Sequence, residues 1–301
     1  MIDRRLFIAG AACLALPAPL AGAQGSDARD ALAALRGRLG AGGRLGVAAT
    51  NGRRTVTLDG DERFAMCSTF KMPLAAAILE GVQEGQWALE DEIAFGESDL
   101  LEYAPYVRRH LPQGRLSIDQ LCAAAVAVSD NSAANLLLAR LGGPEALTAA
   151  FRRWGDRVTR LDRIEPELNA NLPGDERDTT TPSAMLALLR ILVFGERAPT
   201  VQAGAPETAP LFHVHRIKLA NGMAAATTGR ERLRAGFPAG WQAGDKTGTG
   251  ANGASNDVAF ALPPGENPVL VASYISGGDA SAEVRNGVHA EVARIVAAEL
   301  G

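Results

Sequence analysis

Hydrophobic and polar residues alternate along this chain with two different spacings. Near both ends, short runs rich in valine, alanine, threonine and isoleucine lie between glycine, asparagine and proline residues, which is typical of β-strands. The predicted strands occupy residues 43–50, 53–60, 240–248, 255–262 and 267–276. Elsewhere apolar residues recur every three to four positions, as on the buried face of an α-helix. The predicted helices occupy residues 27–39, 70–83, 118–128, 132–141, 182–193 and 282–300.

The order of these elements predicts the fold class. Strands from both ends of the chain most simply share one antiparallel sheet, so we expect an α/β fold of the α+β type, with helices flanking that sheet. Residues 24–64 and 214–301 would form the α/β lobe, and residues 65–213 an inserted all-helical lobe with a polar loop at 160–178. Asn51 and Gly52 predict a tight two-residue turn between the first two strands. A cleft is expected where the lobes meet.

The N-terminus has the features of a cleaved export signal. Arg4 and Arg5 come directly before an apolar segment at residues 6–20, and Ala21-Gly22-Ala23 forms an A-x-A cleavage site. Residues 1–23 are therefore predicted to be removed during ordinary secretion or by twin-arginine export. We expect a periplasmic or secreted protein that has no membrane segment after this removal.

Composition narrows the range of partners. The chain has 30 basic and 34 acidic residues and a formal net charge of −4, with no basic cluster, which argues against nucleic acid and anionic membranes. We expect a monomer that acts on small molecules. Cys67 and Cys122 lack metal-ligand spacing and are interpreted as buried apolar residues without a disulfide. His213 and His215 have no acidic ligand nearby, so neither a metal nor another cofactor is expected.

Four short motifs carry the candidate chemistry. Ser68 and Lys71 lie three apart at the start of a predicted helix, where they share a face and the helix N–H groups are unpaired. Further along come Ser129-Asp130-Asn131, then Glu165 and Asn169 four apart in the polar loop, then Lys246-Thr247-Gly248 at a strand end. Each motif alone could be a helix cap, a solvated loop or a turn. Their occurrence together and in this order indicates a catalytic site.

From about residue 32 to the C-terminus, the sequence resembles the class A serine β-lactamases, which carry this set of motifs. The resemblance implies a β-lactamase/transpeptidase-like fold and hydrolysis of penicillins or cephalosporins through an ester on Ser68, which would confer β-lactam resistance. Ser129 would relay a proton to the lactam nitrogen, and Glu165 with Asn169 would hold the hydrolytic water. Whether Lys71 or Glu165 takes the proton from Ser68 stays open.

The resemblance also implies a substrate-binding set and a supported loop. The substrate-binding residues would be Tyr103, Asn131, Arg232, Lys246, Thr247, Gly248 and Thr249. Backbone N–H groups of Ser68 and Thr249 would form the oxyanion hole. An ion pair between Arg163 and Asp178 would close the loop, and the peptide bond before Pro166 would be cis.

Two rival interpretations share part of this motif set. A penicillin-binding D,D-peptidase lacks a positioned acid to activate water, and a non-catalytic β-lactam sensor would keep a lasting adduct. Glu165 and Asn169 favour the hydrolase. Several positions depart from common family members, among them Ala75 and Gly250, where disulfide cysteines occur in some branches, and Gly222, where tryptophan is common. These departures leave the substrate range open.

Overall fold

A computed structural model describes residues 21–196 and 209–301, with side chains described from residue 27 onward. Most of the predicted export signal and most of the 198–210 segment lie outside these residues. Nine strands are described: β1 (Arg44–Thr50), β2 (Thr55–Leu58), β3 (Phe64–Ala65), β4 (Glu92–Ala94), β5 (Arg115–Ser117), β6 (Thr179–Thr180), β7 (Gln242–Thr249), β8 (Ser255–Leu262) and β9 (Val269–Ser276).

The predicted antiparallel sheet built from both chain ends is confirmed. Its strand order is β2-β1-β9-β8-β7, so the N-terminal hairpin lies beside the last strand of the chain. Arg44 of β1 pairs with Ser276 of β9, and Lys246 of β7 pairs with Val258 of β8. This order puts β7, which carries the Lys246 motif, at the edge of the sheet.

Ten α-helices are described in the same residues. They are α1 (Ala21–Ala34), α2 (Lys71–Gln83), α3 (Pro105–Arg109), α4 (Ile118–Ala127), α5 (Asn131–Leu141), α6 (Pro144–Arg153), α7 (Pro182–Leu189), α8 (His213–Ala224), α9 (Leu233–Gly236) and α10 (Ala282–Leu300). Side chains at the N-termini of four of them accept a backbone N–H and so fix where each helix begins: Ser117, Asp130, Thr181 and Ser281. No helix in residues 21–196 or 209–301 is long and apolar enough to cross a membrane.

Alternate residues of β9 enter two different apolar cores. Leu270, Ala272 and Tyr274 belong to the larger core, which also contains residues of α2, α4, α5 and α7. Val271 and Ile275 point to the opposite face and pack with α1 and α10. Both faces of the central strands are therefore covered by helices, and β7 remains as the edge along which a cleft forms.

The first hairpin differs from its predicted turn. The last pair across β1 and β2 is Thr50 with Thr55, so the connection has four residues rather than two. The side-chain Oδ1 of Asn51 accepts the backbone N–H groups of Arg53 and Arg54, at 3.0 and 2.8 Å. This local side-chain turn holds the longer loop.

Helix boundaries also differ in detail from the predictions. Residues Leu35–Leu39 continue α1 as a tighter 3₁₀ turn, and Arg190–Phe194 continue α7 as a wider π turn. The segment predicted as all-helical also contains short strands, because β4 pairs with β5 and β6 pairs back to β3. The β3–β6 pairing ties the end of the polar loop to the residues just before Ser68.

Candidate active site

Ser68 lies in a single 3₁₀ turn, Cys67–Phe70, that leads directly into α2. Two contacts hold this turn from the side of the sheet and the loop. The side-chain Nδ2 of Asn256 donates to the carbonyl oxygen of Met66 at 3.1 Å, and the N–H of Met66 donates to the carbonyl oxygen of Asp178 at 2.8 Å. The nucleophile candidate is therefore fixed by β8 and by the end of the polar loop.

Ser68, Lys71 and Glu165 meet at one carboxylate oxygen. The Ser68 hydroxyl donates to Glu165 Oε1 at 3.3 Å, and Lys71 Nζ lies 3.0 Å from the same atom. Lys71 and Glu165 are almost completely buried, with exposures of 0 % and 1 %. The serine proton is thus within reach of a carboxylate that also balances the lysine charge.

Lys71 uses all of its donor capacity in this arrangement. Besides Glu165, its ammonium donates to the carbonyl oxygen of Ser129 at 2.8 Å and to Oδ1 of Asn131 at 2.5 Å. Burial lowers the pKa of Lys71, while the neighbouring Glu165 opposes that shift. With three acceptors around three N–H bonds, this geometry fits the charged form of the lysine.

Ser129 is held by the second buried lysine. Lys246 Nζ donates to the Ser129 hydroxyl oxygen at 2.9 Å and to the carbonyl oxygen of Thr247 at 2.9 Å. Burial, followed by repulsion from Lys71, lowers the pKa of Lys246 to about 7. Because the Ser129 oxygen accepts from Lys246, its own proton is free to be donated into the cleft.

Asn169 lies against the other oxygen of Glu165. Its Nδ2 donates to Glu165 Oε2 at 2.5 Å. Its Oδ1 is buried and has no hydrogen-bond partner among the described residues. A carboxylate oxygen and an amide oxygen therefore lie side by side near Ser68, which suits the binding of one water molecule.

The polar loop is closed as the family resemblance implied. Arg163 Nε donates to Asp178 Oδ2 at 2.5 Å, and Asp178 Oδ1 accepts the backbone N–H groups of Asp162 and Arg163 at 2.7 and 2.9 Å. The predicted cis peptide bond between Glu165 and Pro166 is confirmed.

A cavity of about 300 Å³ opens above these groups. Nine of its ten lining residues were candidates from the sequence. They are Ser68, Tyr103, Ser129, Asn131, Asn169, Arg232, Thr247, Gly248 and Thr249, and the tenth is Thr228. Lys71, Glu165 and Lys246 lie buried beneath the cavity. Tyr103, half exposed, forms part of its rim.

Arg232 forms the outer edge of the cavity with the end of β7. Its guanidinium donates to Thr249 Oγ1 at 2.7 Å, to the carbonyl oxygen of Gly248 at 2.9 Å and to that of Asn256 at 2.7 Å. Thr228 and Thr247 share a hydroxyl–hydroxyl hydrogen bond of 2.7 Å beside it. This edge presents cationic and hydroxyl donors, which suits a carboxylate ligand.

Two glycines, one in β7 and one just after it, let the chain lie close to the turn that carries Ser68 and to the polar loop. A Cβ on Gly248 would lie 2.7 Å from the carbonyl oxygen of Met66, and a Cβ on Gly250 would lie 2.6 Å from that of Asn169. The Gly250 Cβ would also lie 2.7 Å from Cys67 Sγ. Cys67 and Cys122 are free and buried, and burial raises the pKa of each thiol to about 12.

Asn135, which was not a candidate from the sequence, and Asp130, which was named only as part of a motif, both shape the site. Asn135 of α5 accepts the N–H of Glu165 at 3.0 Å and donates to its carbonyl oxygen at 2.9 Å. Asp130 caps α5 and also accepts the backbone N–H of Tyr106 at 2.8 Å, which fixes the loop that carries Tyr103. The signal for Asn135 was an amide in the apolar part of a helix, where an unpaired polar group is costly.

No group of three or more histidine, cysteine, aspartate or glutamate side chains is arranged to hold a metal ion in the described part of the chain. The groups in and beneath the cavity are hydroxyl, carboxylate, ammonium, guanidinium and amide groups.

Comparison with known proteins gives a consistent result. Residues 28–300 match the model of the beta-lactamase enzyme family. The chain is 40 % identical to beta-lactamase CTX-M-8 of Citrobacter amalonaticus over 298 residues, which cover 97 % of each chain. It is 45 % identical to a beta-lactamase of Mycobacterium tuberculosis over 284 residues, which cover 92 % of this chain and 87 % of the relative.

Solved structures show the same likeness in three dimensions. An ancestral class A beta-lactamase, reconstructed for Gram-negative bacteria, has a TM-score of 0.83 at 47 % identity, covering 89 % of this chain and 98 % of the other. A beta lactamase from Xanthomonas campestris has a TM-score of 0.85 at 39 % identity, covering 92 % and 99 % of the two chains.

Proposed function

The chain belongs to the beta-lactamase enzyme family, in class A, and on this premise we propose that Ser68 opens the β-lactam ring as a covalent ester that Glu165 and Asn169 then hydrolyse. The enzyme is a hydrolase that acts on β-lactams. The observation that carries the proposed roles is the meeting of Ser68, Lys71 and Glu165 at one buried carboxylate oxygen.

Glu165 is the base that takes the proton from Ser68 in this proposal. Its Oε1 accepts the hydroxyl directly, whereas Lys71 donates all three of its N–H bonds and has no lone pair to offer. Lys71 instead holds the carboxylate in place and stabilises the developing negative charge. As Ser68 Oγ attacks the lactam carbonyl carbon, its proton passes to Glu165.

The lactam nitrogen receives its proton from Ser129 as the C–N bond breaks, and Lys246 gives the Ser129 oxygen a proton in its place. Lys246 binds the Ser129 oxygen at 2.9 Å, which leaves the hydroxyl proton pointing away from the lysine. The negative charge on the carbonyl oxygen would be bound by the backbone N–H groups of Ser68 and Thr249. Losing one such donor typically costs about 10²–10³ in rate.

Hydrolysis of the ester needs a water molecule with a base beside it. The proton that Glu165 took from Ser68 passes through solvent in the cleft to the Lys246 amine that resupplied Ser129, so Glu165 is a carboxylate again. The unpaired Oδ1 of Asn169 and this carboxylate can hold a water, and Glu165 takes the water proton and returns it to Ser68 as the ester breaks. This feature favours turnover over a trapped penicillin-binding protein or a sensor.

Recognition uses the edge and rim of the cavity. Lys246, Thr247, Thr249 and Arg232 bind the substrate carboxylate, and Gly248 lets this part of β7 lie close to the turn that carries Ser68. Asn131 binds the side-chain amide of the substrate, and Tyr103 covers one wall. The expected substrates are penicillins, cephalosporins or both.

The test is an intact-mass time course with excess benzylpenicillin, followed together with the loss of penicillin, for the parent protein and for Glu165→Ala. The parent should consume penicillin with a transient adduct or none. The variant should accumulate an adduct at Ser68, because the water loses its base. Turnover by Glu165→Ala at the parent rate would overturn the role of Glu165, and a persistent stoichiometric adduct on the parent would favour a penicillin-binding protein.

We further propose that the mature enzyme is an exported monomer, periplasmic or secreted, with no nucleic-acid partner. The N-terminal signal pattern and the mild negative charge support this. Cell fractionation with N-terminal sequencing of the mature protein tests the export. Size-exclusion chromatography with light scattering tests the monomeric state. Intact protein in the cytoplasm, or a dimer at micromolar concentration, would contradict them.

A further inference from the structure

Residues 228–234 form a segment that lies over one face of β7 and β8. This segment carries two residues of the cavity, Thr228 and Arg232. Neither residue belongs to the sheet, so the position of each depends on how the segment is held against the strands.

Asp257 of β8 holds the middle of this segment. Its Oδ2 accepts the backbone N–H of Leu233 at 3.0 Å, immediately after Arg232. Asp257 pairs directly across from Thr247, so its side chain and that of Thr247 lie on the same face of the sheet. The carboxyl group is completely buried, and its Oδ1 has no hydrogen-bond partner among the described residues.

Asp245 of β7 lies against both sides of the same segment. Its carboxylate forms an ion pair with Arg234, which itself donates to the carbonyl oxygens of Met223 and Ala224 at 2.8 and 2.9 Å. A Cβ on Gly229 would overlap the Asp245 carboxylate, so only glycine lets the chain pass so closely. Asp245 and Asp257 thus fix the segment on either side of Arg232.

The charges of Asp245, Asp257 and Arg232 also fit a role of the two aspartates in positioning this segment. Burial, and then the neighbouring Asp245, raise the pKa of Asp257 well above its usual range. Asp245 is balanced by Arg234. Arg232 has no carboxylate within ion-pair distance among the described residues, and its positive charge is left for an anionic ligand.

We propose that Asp245 and Asp257 are positioning residues that hold residues 228–234 against β7 and β8 and thereby place Arg232 and Thr228 for recognition of the substrate carboxylate. This inference rests on the proposed function and adds two residues to it. Neither aspartate touches the substrate. They act through the segment that they hold.

The test compares two substrates that differ only in the recognised group, benzylpenicillin and its methyl ester. For Asp257→Leu, kcat/KM for benzylpenicillin should fall about 10- to 100-fold, mainly through KM, because charged hydrogen bonds to the carboxylate are lost. The value for the ester should fall less than about 3-fold. Asp257→Asn keeps an acceptor for Leu233 and nearly the same side-chain shape, so it should stay close to the parent on both substrates.

Arg234→Leu is a second variant for the case that Asp257→Leu folds poorly. Its side chain is partly exposed, and its loss should weaken the activity on benzylpenicillin more than that on the ester. Glu80→Gln is the matched control. Glu80 is a buried carboxylate that binds Trp154 and Arg153 at 2.9 Å each, away from the cavity, and its loss should not change the ratio between the two substrates.

Equal losses on both substrates, or an Asp257→Asn variant as impaired as Asp257→Leu, would overturn the inference while leaving the proposed function intact. A parent protein that opens neither substrate would instead overturn the proposed function.

Discussion

Asn135 offers a sharp test of how the catalytic loop is held. It makes two hydrogen bonds to the backbone of Glu165, at 3.0 and 2.9 Å, and Glu165 is 1 % exposed. Asn135→Ala removes both partners and leaves a buried N–H and a buried C=O unpaired. Each unpaired group costs about 1–3 kcal/mol, so the free energy of unfolding should fall by about 2–6 kcal/mol.

Asn135→Ala should also impair catalysis in the part of the protein that stays folded. A misplacement of about 1 Å in a catalytic group can cost about 10²-fold in rate, and Glu165 acts in both half-reactions of the proposed mechanism. We expect the ester on Ser68 to persist, because the water site next to Asn169 loosens as Glu165 moves. Chemical denaturation measures the first effect, and intact-mass analysis after mixing with benzylpenicillin measures the second.

Thr148→Val is the matched control for Asn135→Ala. Thr148 clamps Leu161 in the same reciprocal way, since its hydroxyl donates to the carbonyl oxygen and accepts the N–H, both at 2.9 Å. The two variants lose the same kind of bonds in the same loop, but only one of them acts on Glu165. Equal accumulation of acyl-enzyme in both variants, or parent turnover in Asn135→Ala, would refute the reasoning.

Two further predictions concern the core and the edge of the cavity. Burial lowers the pKa of His289 to about 3 from about 6.5 in the unfolded chain, so unfolded chains bind more protons and stability falls as pH drops from 6.5 toward 3. The loss should be about 3 kcal/mol at pH 4.5, measured by denaturation at pH 7 and 4.5, and an unchanged acid slope in His289→Gln would contradict it. Gly250→Ala should push Asn169 away from the cavity and slow deacylation in the intact-mass assay. Gly96→Ala is the control and should behave like the parent, because a Cβ there meets nothing within 4 Å. Deacylation of Gly250→Ala at the parent rate would contradict the prediction.

The sequence predicted those parts of the site that are written in short local motifs. Ser68 and Lys71 share a helix start, so their spacing predicted that they lie together. Glu165 and Asn169 share one loop, and the resemblance to the class A β-lactamases implied that they act as a pair. The antiparallel sheet from both chain ends was also predictable, because the strand patterns are regular and few topologies bring such strands together.

The remaining parts depend on contacts between distant segments. Asn135 and Asn256 look like ordinary polar residues until the fold brings them to the backbones of Glu165 and Met66. Asp257 lies in an apolar strand, and its partner is a backbone N–H that no sequence pattern marks. The loop after Asn51 was mispredicted because the side chain of Asn51 competes for the backbone N–H groups that a tight turn would use.

The pairing of β1 with β9 determines when the newly made chain can complete its sheet. β1 leaves the ribosome roughly 220 residues before the strand it must pair with, and closing so long a loop makes folding slow. A chain made as far as β6 already contains Ser68, Lys71 and Glu165, but it lacks the strand that brings Lys246 to Ser129. The ability to open a β-lactam ring is therefore among the last properties that the molecule acquires during its own synthesis.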